Sequence, residues 1–150
     1  MKNNRRAFTM IEIVFVIVIL GILAAVAIPR LAATRTDAEI SKGRADIASI
    51  RSAIITERQS RLIRGESTYI LPTALDNAGG LFAGVLTYGI TAGTGSGHWS
   101  ATGADANTST YNFYIVDTNV PFTYTRSTGV FDCPDGNGTQ AQKYCGNLTH

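Results

Sequence analysis

The sequence predicts an α+β chain, with one long N-terminal helix whose second half packs against a small antiparallel β-sheet. Three observations carry this expectation. The run from Ile13 to Ile28 has no charged residue, which suits a helix in apolar surroundings. Ile40, Ile47, Ile50 and Ile54 then recur at spacings of seven, three and four, the period of one helical face. After Gly65 that pattern stops, and short segments rich in Thr, Tyr, Phe and Val take over, as in strands. A length of 150 residues fits one domain plus the apolar segment.

The first element lies within "RRAFTMIEIVFVIVILGILAAVAIPR", Arg5 to Arg30. Met10 to Ile28 is close to the roughly 20 residues that cross a bilayer as a helix. Lys2, Arg5 and Arg6 precede it, so the positive-inside rule sets the N-terminus in the cytoplasm and the rest of the chain outside. The residues permit two ordinary readings. A secretory signal would be cut at Ala25-Val26-Ala27, but Glu12 interrupts the start of its apolar core and Pro29 follows the cut closely. An uncleaved anchor explains hydrophobicity and orientation but not Glu12. A carboxylate costs on the order of 3 kcal/mol at a helix centre in lipid. Near the end of a span it costs less, and its side chain can snorkel to the interface.

A third reading comes from "RRAFTMIEIVFVIVILGILAAVAIP", which resembles the N-terminus of type IV pilins and of the pseudopilins of type II secretion systems. The resemblance implies a leader at residues 1–7, cut by a prepilin peptidase between Ala7 and Phe8, followed by N-methylation of Phe8. It implies a role for Glu12 in assembly: the acid attracts the N-terminal amine of a neighbouring subunit and fixes the register of stacked copies. Such a pair is strong where the local dielectric is low. Gly21 and Pro29 match the family's helix-weakening positions. Ala7 departs from the Gly that the family usually has before the cut. The implied fold is pilin-like. Residues 8–29 form a transmembrane and assembly helix, 30–64 an amphipathic helix packed on the head, and 65–150 a β-rich periplasmic or extracellular head.

Gly21 weakens a helix by roughly 1 kcal/mol relative to Ala, and Pro29 removes a backbone donor. Beyond Pro29, Ala33, Ala48 and Leu62 fall near the Ile stripe, while Arg44, Arg51, Arg58, Asp46 and Glu57 occupy other faces. The arginines are expected to form a solvated face or a surface for acidic heads of neighbours. Glu57 and Arg61 are spaced as an i,i+4 pair, and Gly65 is a natural stop.

In the head, "STYILP" up to Pro72 reads as extended, and "AGGLFAGVLTYGITAGTGSG" as an irregular connector. "STYNFYIVD" and "HWSA" read as strands. "PFTYTRSTGVFDC" reads as a hairpin, Phe122 to Thr125 and Val130 to Cys133, turning at Arg126 to Gly129. A sheet of three or four strands follows, with Trp99, Tyr111, Phe113, Phe122, Tyr124 and Phe131 as core. The last segment, "CPDGNGTQAQKYC", reads as a Gly/Asn turn closed by Cys133 and Cys145. If this part is exported, a disulfide is the default reading. Type IV pilins commonly have such a bridged region, whereas major pseudopilins tend to have a calcium-binding loop. Asp132, Asp135 and Asn137 are spaced as calcium ligands, but no bidentate Glu follows them. No cofactor is expected.

No catalytic constellation is present in the sequence. His98 and His150 are the only histidines, and "GTGSG" at Gly93 to Gly97 lacks the Lys of a phosphate loop. Residues 30–64 hold eight basic and four acidic residues, and residues 65–150 hold two and six. That split permits attraction between copies. Because acids interleave with the bases, it does not predict direct nucleic-acid binding. The expected role is a structural subunit, polymerised in a type IV pilus, type II secretion or DNA-uptake machine. Its partners would be copies of itself, the peptidase and N-methyltransferase, an inner-membrane assembly platform, minor pilins and lipid. The alternative is an anchored periplasmic binding module that never polymerises.

Overall fold

A computed structural model describes residues 8–134 and 138–149. The element order is α1 (Met10–Ile63), a short 3-10 turn (Pro72–Ala74), β1 (Trp99–Ala104), β2 (Thr108–Ile115), β3 (Thr118–Thr125), β4 (Val130–Asp132) and α2 (Gln140–Thr149). The chain divides after Arg35 into two compact units. The first holds the apolar start of α1, and Pro29 lies inside that helix without ending it. The second holds the rest of α1 and all the other elements, and is α+β as expected.

Within the second unit the four strands form one antiparallel sheet in the order β1-β2-β3-β4. Strand alternation sets its inner face. Tyr111, Phe113 and Ile115 of β2 and Val120, Phe122 and Tyr124 of β3 are fully buried, together with Trp99 and Phe131. Ile47, Ile50 and Ile54 meet this face from α1, with Ile40 packed at the margin. All six expected core aromatics are buried. Phe82, from the irregular connector, joins them with its ring centroid 4.2 Å from that of Tyr111. Its backbone takes φ 58°, costly for a bulky residue, and its N–H is held by Asp76 Oδ1 at 2.8 Å.

Helix α1 stops as Gly65 allows. Gly65 takes φ +85°; its N–H bonds the Leu62 carbonyl at 3.0 Å and that of Glu66 the Arg61 carbonyl at 2.9 Å. This pair of bonds is a Schellman cap. Glu57 pairs with Arg61 at 3.3 Å as expected, and also with Arg64 at 3.1 Å. Ala48 and Leu62 are exposed, so the buried stripe is narrower than the sequence implies.

Four other expectations are corrected or narrowed. "STYILP" is extended at Leu71 but joins no sheet: the Ile70 carbonyl accepts from the Tyr124 hydroxyl at 3.0 Å, and Pro72 opens the 3-10 turn. Strand β3 starts at Thr118 rather than Phe122 and contains Pro121. Proline is tolerated there because β4 covers β3 only from Thr123 to Thr125, leaving edge backbone beside Pro121. The C-terminal segment is a helix, not merely a turn. Its start is a capping arrangement, Thr139 followed by Gln142, whose side-chain oxygen accepts from the Thr139 N–H at 2.9 Å. Lastly, Arg44, Arg51 and Arg58 are not a freely solvated face, because each reaches its own head. Arg44 donates to the Asn147 carbonyl. Arg51 donates to the Phe131 carbonyl and to Asp132 Oδ1, both at 3.0 Å. Arg58 donates to the Ser67 carbonyl. Spaced by seven, they fasten α1 to α2, to β4 and to the loop after α1.

Candidate functional site

The N-terminal segment is built around a helix start. Thr9 precedes α1, and its hydroxyl accepts the Glu12 N–H at 3.3 Å. The Thr9 carbonyl receives Glu12 N–H at 3.1 Å and Ile13 N–H at 3.3 Å. Thr9-Met10-Ile11-Glu12 therefore has the T-x-x-E spacing of a capping box. Glu12 sits in the first turn, where the helix dipole favours a negative charge. That gives the acid a local reason for its position, independent of any neighbour. The signal was in the sequence, since a Thr three residues before a Glu at the start of an apolar run is a helix-start pattern.

Above Glu12 the helix carries apolar surface on every side. Phe8 is 76% exposed, and Ile11, Phe15, Ile17, Leu20 and Leu23 are each more than half exposed. By length and composition this stretch is able to cross a membrane. A Cβ at Gly21 would meet nothing within 4 Å, so no packing within the chain calls for glycine there. Pro29 has no N–H to offer the Ala25 carbonyl, yet α1 remains continuous. Glu12, Gly21 and Pro29 thus lie on one helical segment, and Phe8 lies two residues before its start. Ala7 lies outside the described residues.

The prokaryotic N-terminal methylation motif matches residues 2–28. The chain carries this motif. It is also similar to the type II secretion system core protein G of Pectobacterium carotovorum, 44% identical over 51 residues, which is 34% of this chain and 33% of that protein. The core protein G of Klebsiella michiganensis is 40% identical over 53 residues, covering 35% of this chain and 37% of the relative. That of Pseudomonas aeruginosa is 38% identical over the same length and shares. The chain therefore spans about a third of the curated relatives it matches. No solved structure matches it.

The Cys133–Cys145 disulfide is present, with Cα atoms 6.0 Å apart, and it ties the end of β4 to α2. Of the three calcium candidates, Asp132 is engaged by Arg51, while Asp135 and Asn137 lie outside the described residues. Among the described residues no group of three or more His, Cys, Asp or Glu is placed to hold a metal.

A second constellation, not foreseen, lies in the head. Glu39 is buried, where a carboxylate needs partners. Its Oε2 accepts from Ser96 Oγ at 2.5 Å and from the Val116 N–H at 3.2 Å. Lys42, one turn on, donates to the Gly97 carbonyl. These bonds hold the Ser96–Gly97 loop and the β2–β3 turn to α1.

Proposed function

We propose that the chain is a pseudopilin-like structural subunit of a type II secretion machine, not an enzyme. A prepilin peptidase removes residues 1–7 by cutting between Ala7 and Phe8, and the Phe8 amine is then methylated. The subunit sits in the inner membrane with its N-terminus cytoplasmic and its head periplasmic. It polymerises through the apolar part of α1, with the assembly platform and minor subunits as partners. The observation that carries this reading is the exposed apolar segment that opens on Thr9 and Glu12 and lies inside the methylation motif. Such surface requires lipid or copies of itself. Similarity to core protein G favours type II secretion over a pilus or DNA uptake, while the Cys133–Cys145 bridge is the feature that the resemblance links to type IV pilins.

Chemically, cleavage creates an ammonium one helical turn from Glu12. Within one chain the acid serves the helix start; between chains it is free to pair with the next amine. Gly21 and Pro29 weaken the helix where packing among copies could stretch it.

Intact mass and N-terminal sequencing of protein recovered from membranes test the processing. The expected chain begins at Phe8 and carries one extra methyl group. A chain beginning at Met1 or Ile28 overturns the proposal. Glu12→Gln keeps the side-chain length while removing the charge. It should insert in the membrane normally yet yield no sedimentable polymer, and polymer at the usual level would defeat the register role.

A further inference from the structure

The end of the head where α1 stops contains a cleft of about 310 Å³ lined by two guanidinium groups and no acid. Tyr69 forms its wall. The Arg58 guanidinium lies over that ring, 4.6 Å from the centroid. Gly129, at φ +72°, is so close to the same ring that a Cβ there would lie 2.1 Å from Tyr69 Cε1. Arg126 Nε donates to the Tyr69 carbonyl at 3.4 Å, and the Arg126 N–H to the Asn107 carbonyl at 2.8 Å. Both arginines are therefore held in place beside Asn107 and Ser127. Among the described residues neither forms an ion pair, because the nearby Glu57 and Glu66 are taken by Arg61 and Arg64.

The opposite end of the same strands carries an exposed carboxylate, Asp117. The β2–β3 register runs from Thr108 opposite Thr125, beside the cleft, to Ile115 opposite Thr118. There the chain turns through Val116 and Asp117. Val116 is half exposed, with φ 53°. Its N–H is anchored on Ser96 Oγ at 2.6 Å as well as on Glu39, which fixes the turn. Asp117 is exposed and has no partner among the described residues. Glu39 at the turn and Arg58 at the cleft are nineteen positions apart on α1, about 28 Å of helix. Asp117 cannot reach the cleft of its own copy.

We propose that the Val116–Asp117 turn of one copy docks in the Arg58–Arg126 cleft of a second copy, its carboxylate accepting hydrogen bonds from the two guanidiniums. Two different patches on identical chains make a heterologous contact, which repeats into an open array unless it closes as a ring. Pre-placed arginines lose little side-chain freedom on pairing, and opposite charges at the two ends favour one orientation. The inference rests on the subunit reading, which brings many copies together.

The test uses the full chain in bacterial membranes with a prepilin peptidase. Val116→Cys on one tagged chain is co-produced with Ser127→Cys on another, leaving every charge intact. Oxidation should give a mixed dimer that neither variant forms alone. Adding Asp117→Arg should reduce it about tenfold, and combining Asp117→Arg with Arg126→Asp should restore it. The proposal falls if processed chain forms sedimentable polymer without this cross-link. It also falls if Asp117→Arg leaves the yield unchanged, or if Val116→Cys captures a different protein. A cross-link without polymer would overturn the filament reading alone, and absence of both would overturn the two together.

Discussion

Gly43 of α1 lies directly against the Phe113 ring of β2. A Cβ at position 43 would sit 2.6 Å from Phe113 Cε1 and 2.6 Å from Leu148 Cδ2 of α2. Three elements therefore converge where one side chain is missing. Gly43→Ala gains up to about 1 kcal/mol of helix propensity, but overpacking costs about 1–3 kcal/mol. A net loss of stability is expected, seen as a lower urea midpoint for the head. A raised midpoint would show that the contact relaxes freely.

Asp46 accepts the Trp99 indole N–H at 3.0 Å, linking α1 to β1. Trp99 is fully buried, so Asp46→Ala leaves a donor with no acceptor. The expected cost is about 1–3 kcal/mol. Asp46→Asn keeps an acceptor and should recover most of it. Calorimetry on the two variants checks the order, and equal melting points would refute it.

Replacing Cys133 and Cys145 by Ser removes a bridge across a separation of 12 residues. The chain-entropy model gives about 3 kcal/mol for a loop of this size. The loss should concentrate in α2, because the bridge ties this helix to β4. Hydrogen exchange should accelerate at residues 140–149 and change little across β2 and β3. Uniform acceleration over the sheet would contradict a local tether.

Burial holds the Tyr124 hydroxyl up at about 12, and burial also raises that of Tyr111. Both groups titrate near 10 in an unfolded chain. Between about pH 10 and 12 the unfolded state therefore loses these protons while the folded state keeps them. Stability is full below pH 10 and falls as pH rises through that window. Tyr124→Phe removes one contributor and should flatten the decline, measured as urea midpoint against pH. An unchanged slope would mean that Tyr124 ionises without penalty.

Much of the fold was legible because its signals are periodic. The isoleucines of α1 and the alternating residues of β2 each state which side is buried. Phe82 was not legible, since it lies in a Gly-rich stretch and reaches the core through a left-handed backbone held by Asp76. The β2–β3 turn was hidden for a similar reason: Val116 is a poor residue for positive φ, and only Glu39 and Ser96 hold it there. Helix α2 was overlooked beside the more conspicuous cysteines, although Thr139 and Gln142 announce its start. At the candidate site, the motif around Phe8 and Glu12 stood out, but the capping role of Thr9 did not. The contacts of the three arginines with their own head were not legible, because helix spacing shows which residues share a face, not what loop returns to meet them.

Trp99 is the only tryptophan in the chain, and it sits between the sheet and α1. Its near-ultraviolet emission is thus a built-in reporter of the head alone, silent about the apolar stretch even in detergent or lipid. A red shift of that fluorescence would register undocking of the helix from the sheet without any added dye.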